Sequence, residues 1–280
     1  MKSLSVLSMA SVNDVEHDPF AHLVVDNCLD TEDYRQLAAN FPDPVRFQAP
    51  GLVLQANQAV RIPASTVISS EEFSAPWRDF FRHHTSQDFW DEIVEVMGDA
   101  IRKRHPDLEQ KSGRRLEDWR AKLRGSPGVA DIELDCLFVI NTPAQKLTSV
   151  RPAHVDFEEK VFAGLLYLRE AEDPTSGGDL ALYKFRAQPA FGGHYARLND
   201  LHETHRIAYG SNRFVAFVNG EDSIHGVTPR APSDRVRRYI NFIACSPHAS
   251  FRLPRLGPLA RWRFSRERKR TKSPGITLDS

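Results

Sequence analysis

Three residues of this chain carry donor atoms at a spacing that suits one metal ion. His154-Val155-Asp156 stands just ahead of an apolar run that begins at Val161. In an extended chain, residues i and i+2 project to the same side, so the imidazole and the carboxylate can share a ligand. His225 follows some seventy residues later, after the apolar run 214–218 and a turn at Asn219-Gly220-Glu221-Asp222. Two histidines and one carboxylate on one face leave the other coordination positions open, which is how proteins hold a non-haem iron(II) that must also take up reactants. A His-x-Asp tripeptide is common by chance, and the chain holds a second, His105-Pro106-Asp107. That one follows the basic helix end Arg102-Lys103-Arg104, has no strand after it, and reads as a solvated helix terminus. The other histidines (His17, His22, His83, His84, His194, His202, His205 and His248) lack a carboxylate at strand spacing and read as non-ligands. Of these, His83-His84 reads as helix surface, and His194 to His205 as a loop where substrate could bind.

The elements that must position these residues can be read from periodicity and punctuation. Residues 1–18 read as a mobile lead-in, and after Pro19 the run 20–25 reads as a strand. Asp30 caps a helix with Tyr34, Leu37, Ala38 and Phe41 at helical spacing, stopped by Pro42 and Pro44. The apolar stripe Phe89, Ile93, Val96, Met97, Ala100 and Ile101 predicts helix over 70–105. Residues 106–128 are highly charged, end in Gly125-Ser126-Pro127-Gly128, and read as an exposed insertion. From 131 the texture is β: the runs 134–140, 161–168, 180–185, 206–209, 214–218 and 239–244 are rich in Val, Ile, Phe and Tyr and separated by turn residues. Short strands after early helices predict an α+β, mainly β fold, a barrel or jelly roll buttressed by N-terminal helices. The expected organisation is one domain over 19–250, helix-rich to 130 with a β core over 131–246, then a basic tail over 251–280. There is no internal repeat, no Gly-rich phosphate loop and no Gly-x-Ser-x-Gly.

Composition narrows the partners. With 280 residues, 41% hydrophobic, 26% charged and a formal net charge of zero, the chain suits one globular domain and has no overall field for nucleic acid or membrane. No apolar run approaches the ~20 residues of a membrane span. Basic residues collect in the tail, where Trp262 and Phe264 interleave with arginines; this reads as a solvated end that permits docking to an anionic partner. Cys28, Cys136 and Cys245 sit in or beside apolar runs as small core residues, with no Cys-x-x-Cys, which fits a reducing cytoplasm.

Several segments taken together resemble the prolyl-4-hydroxylase-like branch of the Fe(II)/2-oxoglutarate oxygenase superfamily. They are Arg-Pro-Ala-His-Val-Asp (151–156), Gly-Gly-Asp-Leu (177–180), His-Gly-Val-Thr-Pro (225–229) and Arg-Arg-Tyr-Ile-Asn (237–241). Pro-Phe-Ala-His-Leu-Val-Val-Asp (19–26) and Asn-Phe-Pro (40–42) resemble the opening of bacterial members. The resemblance implies a double-stranded β-helix with iron at one mouth, held by His154, Asp156 and His225. It implies Fe(II), 2-oxoglutarate and O2 as reactants, with ascorbate as a stimulant. The expected outcome is hydroxylation of an aliphatic carbon, with release of succinate and CO2. The substrate would be a small molecule, an amino acid or a biosynthetic intermediate, free or carrier-linked.

The far carboxylate of 2-oxoglutarate then calls for a bidentate arginine. On the last strand Ile240, Phe242 and Ala244 make an apolar face, while Tyr239, Asn241 and Ile243 make the other, which selects Arg237 and places Tyr239 beside the cosubstrate. Arg235 stays open if the strand starts early, and Arg238 if the register slips by one. Asn141 holds a position where many relatives carry a tyrosine that touches the cosubstrate, with simple turn chemistry as the other reading; Ser149 and Arg151 lie beside the metal motif as candidate substrate contacts, Arg151 equally as a rim salt-bridge partner. Two other readings stand beside this one: a cupin-like metal barrel with non-oxidative activity, and a non-catalytic binding protein.

Overall fold

Residue alternation along the long strands sets the architecture. The computed structural model of the chain describes residues 4–43, 54–254 and 257. In chain order the elements are β1 (His22–Asp26), α1 (Thr31–Ala39), β2 (Ala59–Pro63), α2 (Ala64–Ser69), α3 (Ala75–His83), α4 (Gln87–Arg104), α5 (Leu108–Ser112) and β3 (Ala121–Leu123). There follow β4 (Ile132–Asn141), β5 (Lys160–Leu168), β6 (Leu180–Phe185), β7 (Leu201–Ile207), β8 (Ser211–Val218), β9 (His225–Val227) and β10 (Arg237–Cys245). The large sheet runs β1-β8-β5-β10-β4-β2, with β3 parallel on β4; the small one runs β7-β6-β9. An isolated bridge between His154 and His225 adds the segment around His154 to the small sheet. From β4 onward the chain therefore passes repeatedly between two facing sheets, which is the winding of a double-stranded β-helix.

One parity of the large sheet faces the helices. Phe138, Phe162, Phe214, Ile240 and Phe242 join Trp77, Phe80, Phe81, Phe89, Ile93 and Met97 in one buried cluster. Trp77 meets Phe138 edge-on at 4.7 Å, and Phe214 meets Phe242 edge-on at 5.4 Å. The other parity lines the barrel. The register places Arg61, Val139, Tyr239 and Tyr167 in one cross-strand row and Pro63, Leu137, Asn241 and Leu165 in the next. Leu137, Leu165, Tyr239 and Asn241 are only half-buried, so the bore is open to solvent there.

The helical region departs from the expected single helix over 70–105. It breaks after His83 and restarts at Gln87. The Thr85 hydroxyl donates to the Phe81 carbonyl and the Ser86 hydroxyl to that of His83. These bonds offer the backbone an alternative to helix continuation. His84 is fully buried rather than a surface residue. Its Nδ1 donates to the Phe80 carbonyl and its Nε2 accepts from the Val6 amide, and burial drives its pKa well down. That bond, with buried Val6 and Leu7, packs the start of the expected mobile lead-in onto the helices.

The expected exposed insertion over 106–128 is also packed. It contains α5 and β3 and buries Leu108, Leu116 and Trp119. Trp119 stacks on Trp90 at 5.6 Å, and Trp90 Nε1 donates to the Leu116 carbonyl. Three apolar residues spread among many charges are enough, because each lands on the helical layer. His105 is likewise buried and not solvated, its Nε2 within 2.8 Å of the Asn219 carbonyl.

All three cysteines are buried and unpaired. Burial pushes the Cys28 thiol to about 12, Cys245 to about 11, and Cys136 well above its usual range. No helix among the described residues is long and apolar enough to cross a membrane. Trp262, Phe264 and most of the basic tail lie outside the described residues, as does 44–53.

Candidate metal centre

His154, Asp156 and His225 meet at the mouth of the barrel. The backbones of His154 and His225 are locked together by reciprocal N–H···O bonds of 2.8 and 2.9 Å. The three side chains are buried, and their ligand atoms lie within 4.8 Å of one another. His154 Nε2 is 3.6 Å from Asp156 Oδ1, and His225 Nε2 is 4.0 Å from Asp156 Oδ2. An ion with bonds of ~2.1 Å reaches all three after small side-chain adjustments.

The histidines are set in the tautomer a metal needs. Each places Nδ1 at 2.9 Å from a backbone carbonyl, Pro152 for His154 and Ser223 for His225, which turns both Nε2 atoms toward Asp156. Burial lowers both histidine pKa values, and for His154 the charges of Arg151 and His225 add to that. Burial raises the pKa of Asp156, but Lys160, His154, His225 and Arg151 together more than offset it and hold the carboxyl well below its usual range. The donor set is thus two neutral imidazoles and a carboxylate, which suits iron(II).

Two cations touch this carboxylate. Lys160, buried at the start of β5, donates to Asp156 Oδ2 at 2.9 Å. Arg151 donates from Nη2 to Asp156 Oδ1 at 3.2 Å and from Nε to His154 Nε2. Ser149 is less involved: its hydroxyl donates to the Val227 carbonyl.

Deeper in the bore lies Arg237, 2% exposed and among the largest fully buried side chains. Its Nε donates to the Gly178 carbonyl at 2.9 Å, and its Nη1 lies 3.4 Å from Asn141 Oδ1. The guanidinium sits 4.6–5.1 Å from the ring centres of Tyr239, Tyr209 and Tyr167. It forms no ion pair among the described residues. Beside it, Asn141 Nδ2 and the Tyr167 hydroxyl are buried with no hydrogen-bond partner. A buried guanidinium next to two unpartnered polar groups has the donor chemistry that suits an anion.

Gly177 and Gly178 make that place possible. Both have positive φ, a Cβ on Gly177 would lie 2.0 Å from the Pro229 carbonyl oxygen, and one on Gly178 would press on Arg237 at 3.3 Å. The other two arginines of the last strand stand elsewhere. Arg235 is exposed and pairs with Glu170 at 3.4 Å; Arg238 bonds the Leu168 carbonyl and Glu170 at 3.1 Å.

No family model matches the sequence, and no curated protein matches it. Solved structures do. A Pseudomonas putida prolyl-4-hydroxylase is 16% identical, with 87% of this chain and 100% of that one covered and a TM-score of 0.43. AviO1 from Streptomyces viridochromogenes Tue57 is 13% identical, covering 89% and 98%, TM-score 0.46. SnoN, a non-heme alpha ketoglutarate dependent epimerase from nogalamycin biosynthesis, is 11% identical, covering 80% and 76%, TM-score 0.46. These are distant likenesses of overall shape.

Sequence reasoning passed over three residues of the site. Lys160 drew no attention in the sequence, although it stands four residues after Asp156 and directly before Val161-Phe162. Arg230 is buried with its guanidinium on the carbonyls of Thr142 and Arg235, and burial lowers its pKa. Tyr195, bridged to His154 through the backbone with its ring 6.0 Å from the imidazole, carries no local signal at all.

Proposed function

We propose that this chain is an Fe(II)- and 2-oxoglutarate-dependent dioxygenase that hydroxylates an aliphatic carbon of a small molecule, amino acid or biosynthetic intermediate. One observation carries the reading. A three-donor centre with open positions faces a bore whose deeper wall holds Arg237 free of ion pairs, beside unpartnered Asn141 and Tyr167. His154, Asp156 and His225 would hold the iron, and Arg237, with Asn141 and Tyr239 alongside, would hold the far carboxylate of 2-oxoglutarate. Held by these residues, iron and cosubstrate would supply the oxidising chemistry for an unactivated C–H bond at the expense of O2, with succinate and CO2 as coproducts and ascorbate as a stimulating reductant.

The rest is done by the protein. The carbonyls of Pro152 and Ser223 hold Nδ1 of each histidine and so leave Nε2 as the unprotonated, ligating nitrogen. Lys160 holds one oxygen of Asp156 and so favours ligation through the other. The rings of Tyr167, Tyr209 and Tyr239 stand within 4.6–5.1 Å of the Arg237 guanidinium and help to keep it from water. A cupin-type centre of three histidines and a carboxylate finds no third histidine here, since among the described residues only this trio gathers. Residues 19–250 form the oxygenase domain of this reading, followed by the basic tail, and three unpaired buried thiols support a cytoplasmic setting.

Anaerobic addition of Fe(II) and then 2-oxoglutarate tests the reading. A visible absorption band that needs both components is expected, followed by succinate release over pools of small-molecule substrates. Iron binding without such a band would overturn it.

A further inference from the structure

This inference rests on the reading above and concerns the substrate. Arg151 donates to His154 Nε2 and Asp156 Oδ1, the atoms whose lone pairs a metal needs. Guanidinium and metal cannot hold them together. The other oxygen of Asp156 is already on Lys160 at 2.9 Å, and Asp156 is the sole ion-pair partner of Arg151 among the described residues. Metal binding therefore displaces the Arg151 guanidinium and leaves it without a counter-charge, on a side chain that is 42% exposed at the mouth.

A second cation of the concave face is also unmatched. Arg61 is half-buried on β2, in the row of Val139 and Tyr239, and forms no hydrogen bond or ion pair among the described residues. The acids of this parity on β4 are already engaged: Asp135 Oδ1 accepts from the amides of Ala64 and Cys136 at 3.3 and 2.8 Å, and Glu133 pairs with Lys122 at 3.1 Å. With metal on Asp156 and cosubstrate on Arg237, the open bore beside Leu137, Leu165 and Asn241 holds more positive than negative charge. A partly dehydrated guanidinium without a partner favours an anion.

We propose that the substrate carries a carboxylate or phosphate group, and that Arg151 exchanges from the metal ligands onto that group when the metal binds, with Arg61 as the second cation of the binding face. Ligand exchange predicts that Arg151 competes with the metal. Calorimetric titration of metal-free protein with Co(II) should show Arg151→Gln binding about tenfold or more tighter than wild type, with Arg151→Lys in between. Equal or weaker binding by Arg151→Gln, in a protein that melts like wild type, overturns the proposal. Failure of wild type itself to bind Co(II) overturns instead the metal-centre reading.

The anion is tested on the enzyme loaded with Fe(II) and 2-oxoglutarate, by succinate release from matched pairs: N-acyl amino acids against their carboxamides, and sugar phosphates against the free sugars. In any pair that is turned over, wild type should prefer the anionic member by about tenfold or more. Arg151→Gln and Arg61→Gln should narrow that preference, and Arg61→Gln should leave Co(II) affinity unchanged. The two kinds of pair separate carboxylate from phosphate. An uncharged member turned over as well as its anionic counterpart overturns the proposal; if no pair is turned over, the Co(II) comparison decides.

Discussion

The two faces of the large sheet are built from alternate residues of the same strands and are finished in opposite ways. Toward the helices, Phe138, Phe162, Phe214 and Phe242 are 0% exposed and interlock with Trp77, Phe80 and Phe89. Toward the small sheet, their neighbours Leu137, Leu165, Tyr239 and Asn241 are half-covered, and Asn141 and Tyr167 keep unpartnered polar atoms. Strand parity divides the sheet: one face is filled to hold the fold, and the other stays half-covered, where in the proposed reading ligands complete it. An unsatisfied buried polar group costs ~1–3 kcal/mol, and the packed face supplies the stability that tolerates it.

The largest expected effects fall on the unfinished face. His154→Ala, Asp156→Ala and His225→Ala should each abolish turnover. Metal affinity should fall by more than the roughly 10–100-fold typical of outer-shell changes, with melting temperature in the absence of metal nearly unchanged. Metal titration beside thermal unfolding checks both halves, and unchanged metal affinity in His225→Ala would break the assignment.

Next comes Arg237→Ala. Removing one partner of a buried charge pair costs ~3–5 kcal/mol, so the KM for 2-oxoglutarate should rise roughly several hundred-fold or more while metal affinity stays put. Arg237→Lys should recover only part, and Arg235→Ala and Arg238→Ala should have mild effects. A large effect from Arg238→Ala alone would mean the other parity lines the bore.

The third prediction sharpens the comparison on adjacent residues of β10. Phe242→Ala should cost ~3–5 kcal/mol by urea unfolding, whereas Asn241→Ala should stay within about 0.5 kcal/mol. Similar losses would show that the two faces are not finished differently.

A fourth prediction concerns acid. Burial lowers the pKa of His84 well below 6.5, so the folded state keeps it neutral while the unfolded chain takes up a proton. Its contribution is full above pH 6.5 and is lost as pH falls below that value toward the folded pKa. His84→Gln should remove about one proton, or at most ~1.4 kcal/mol per pH unit, from the acid limb of the stability curve. An unchanged slope would contradict it. His105→Ala should lose ~1–3 kcal/mol of stability and leave metal affinity unchanged.

The strands were legible because alternation and β-branched residues mark them: the run 180–185 is β6 to the residue. The gathering of His154, Asp156 and His225 was legible because a strand follows His-x-Asp and a turn precedes His225, and the geometry brings all three side chains together. What was not legible depends on tertiary burial of polar residues. His84 and His105 look like surface until both ring environments are supplied by Phe80, Val6 and Asn219. Trp119 sits in a charged stretch and declares itself only by stacking on Trp90. Strand β2, with Arg61 and Pro63 in five residues, has too little pattern to be seen without its partner β4. The run 206–209 catches only the end of β7, because Leu201–Ile207 carries five polar residues in its middle.

The buried thiols bear on how such a protein wears out. The thiolate is the form that oxidants and electrophiles attack. A thiol held at about 11, as Cys245 is, ionises in only about one molecule in ten thousand at neutral pH, and Cys28 at about 12 less still. If the centre works as proposed, an oxidant that escapes it without a substrate would therefore find the sulfur atoms closed to it. Damage would accumulate on what lines the mouth, Tyr195 first among the aromatic rings beside His154, and ageing of the protein would show as altered tyrosine absorbance while the thiol titre held constant.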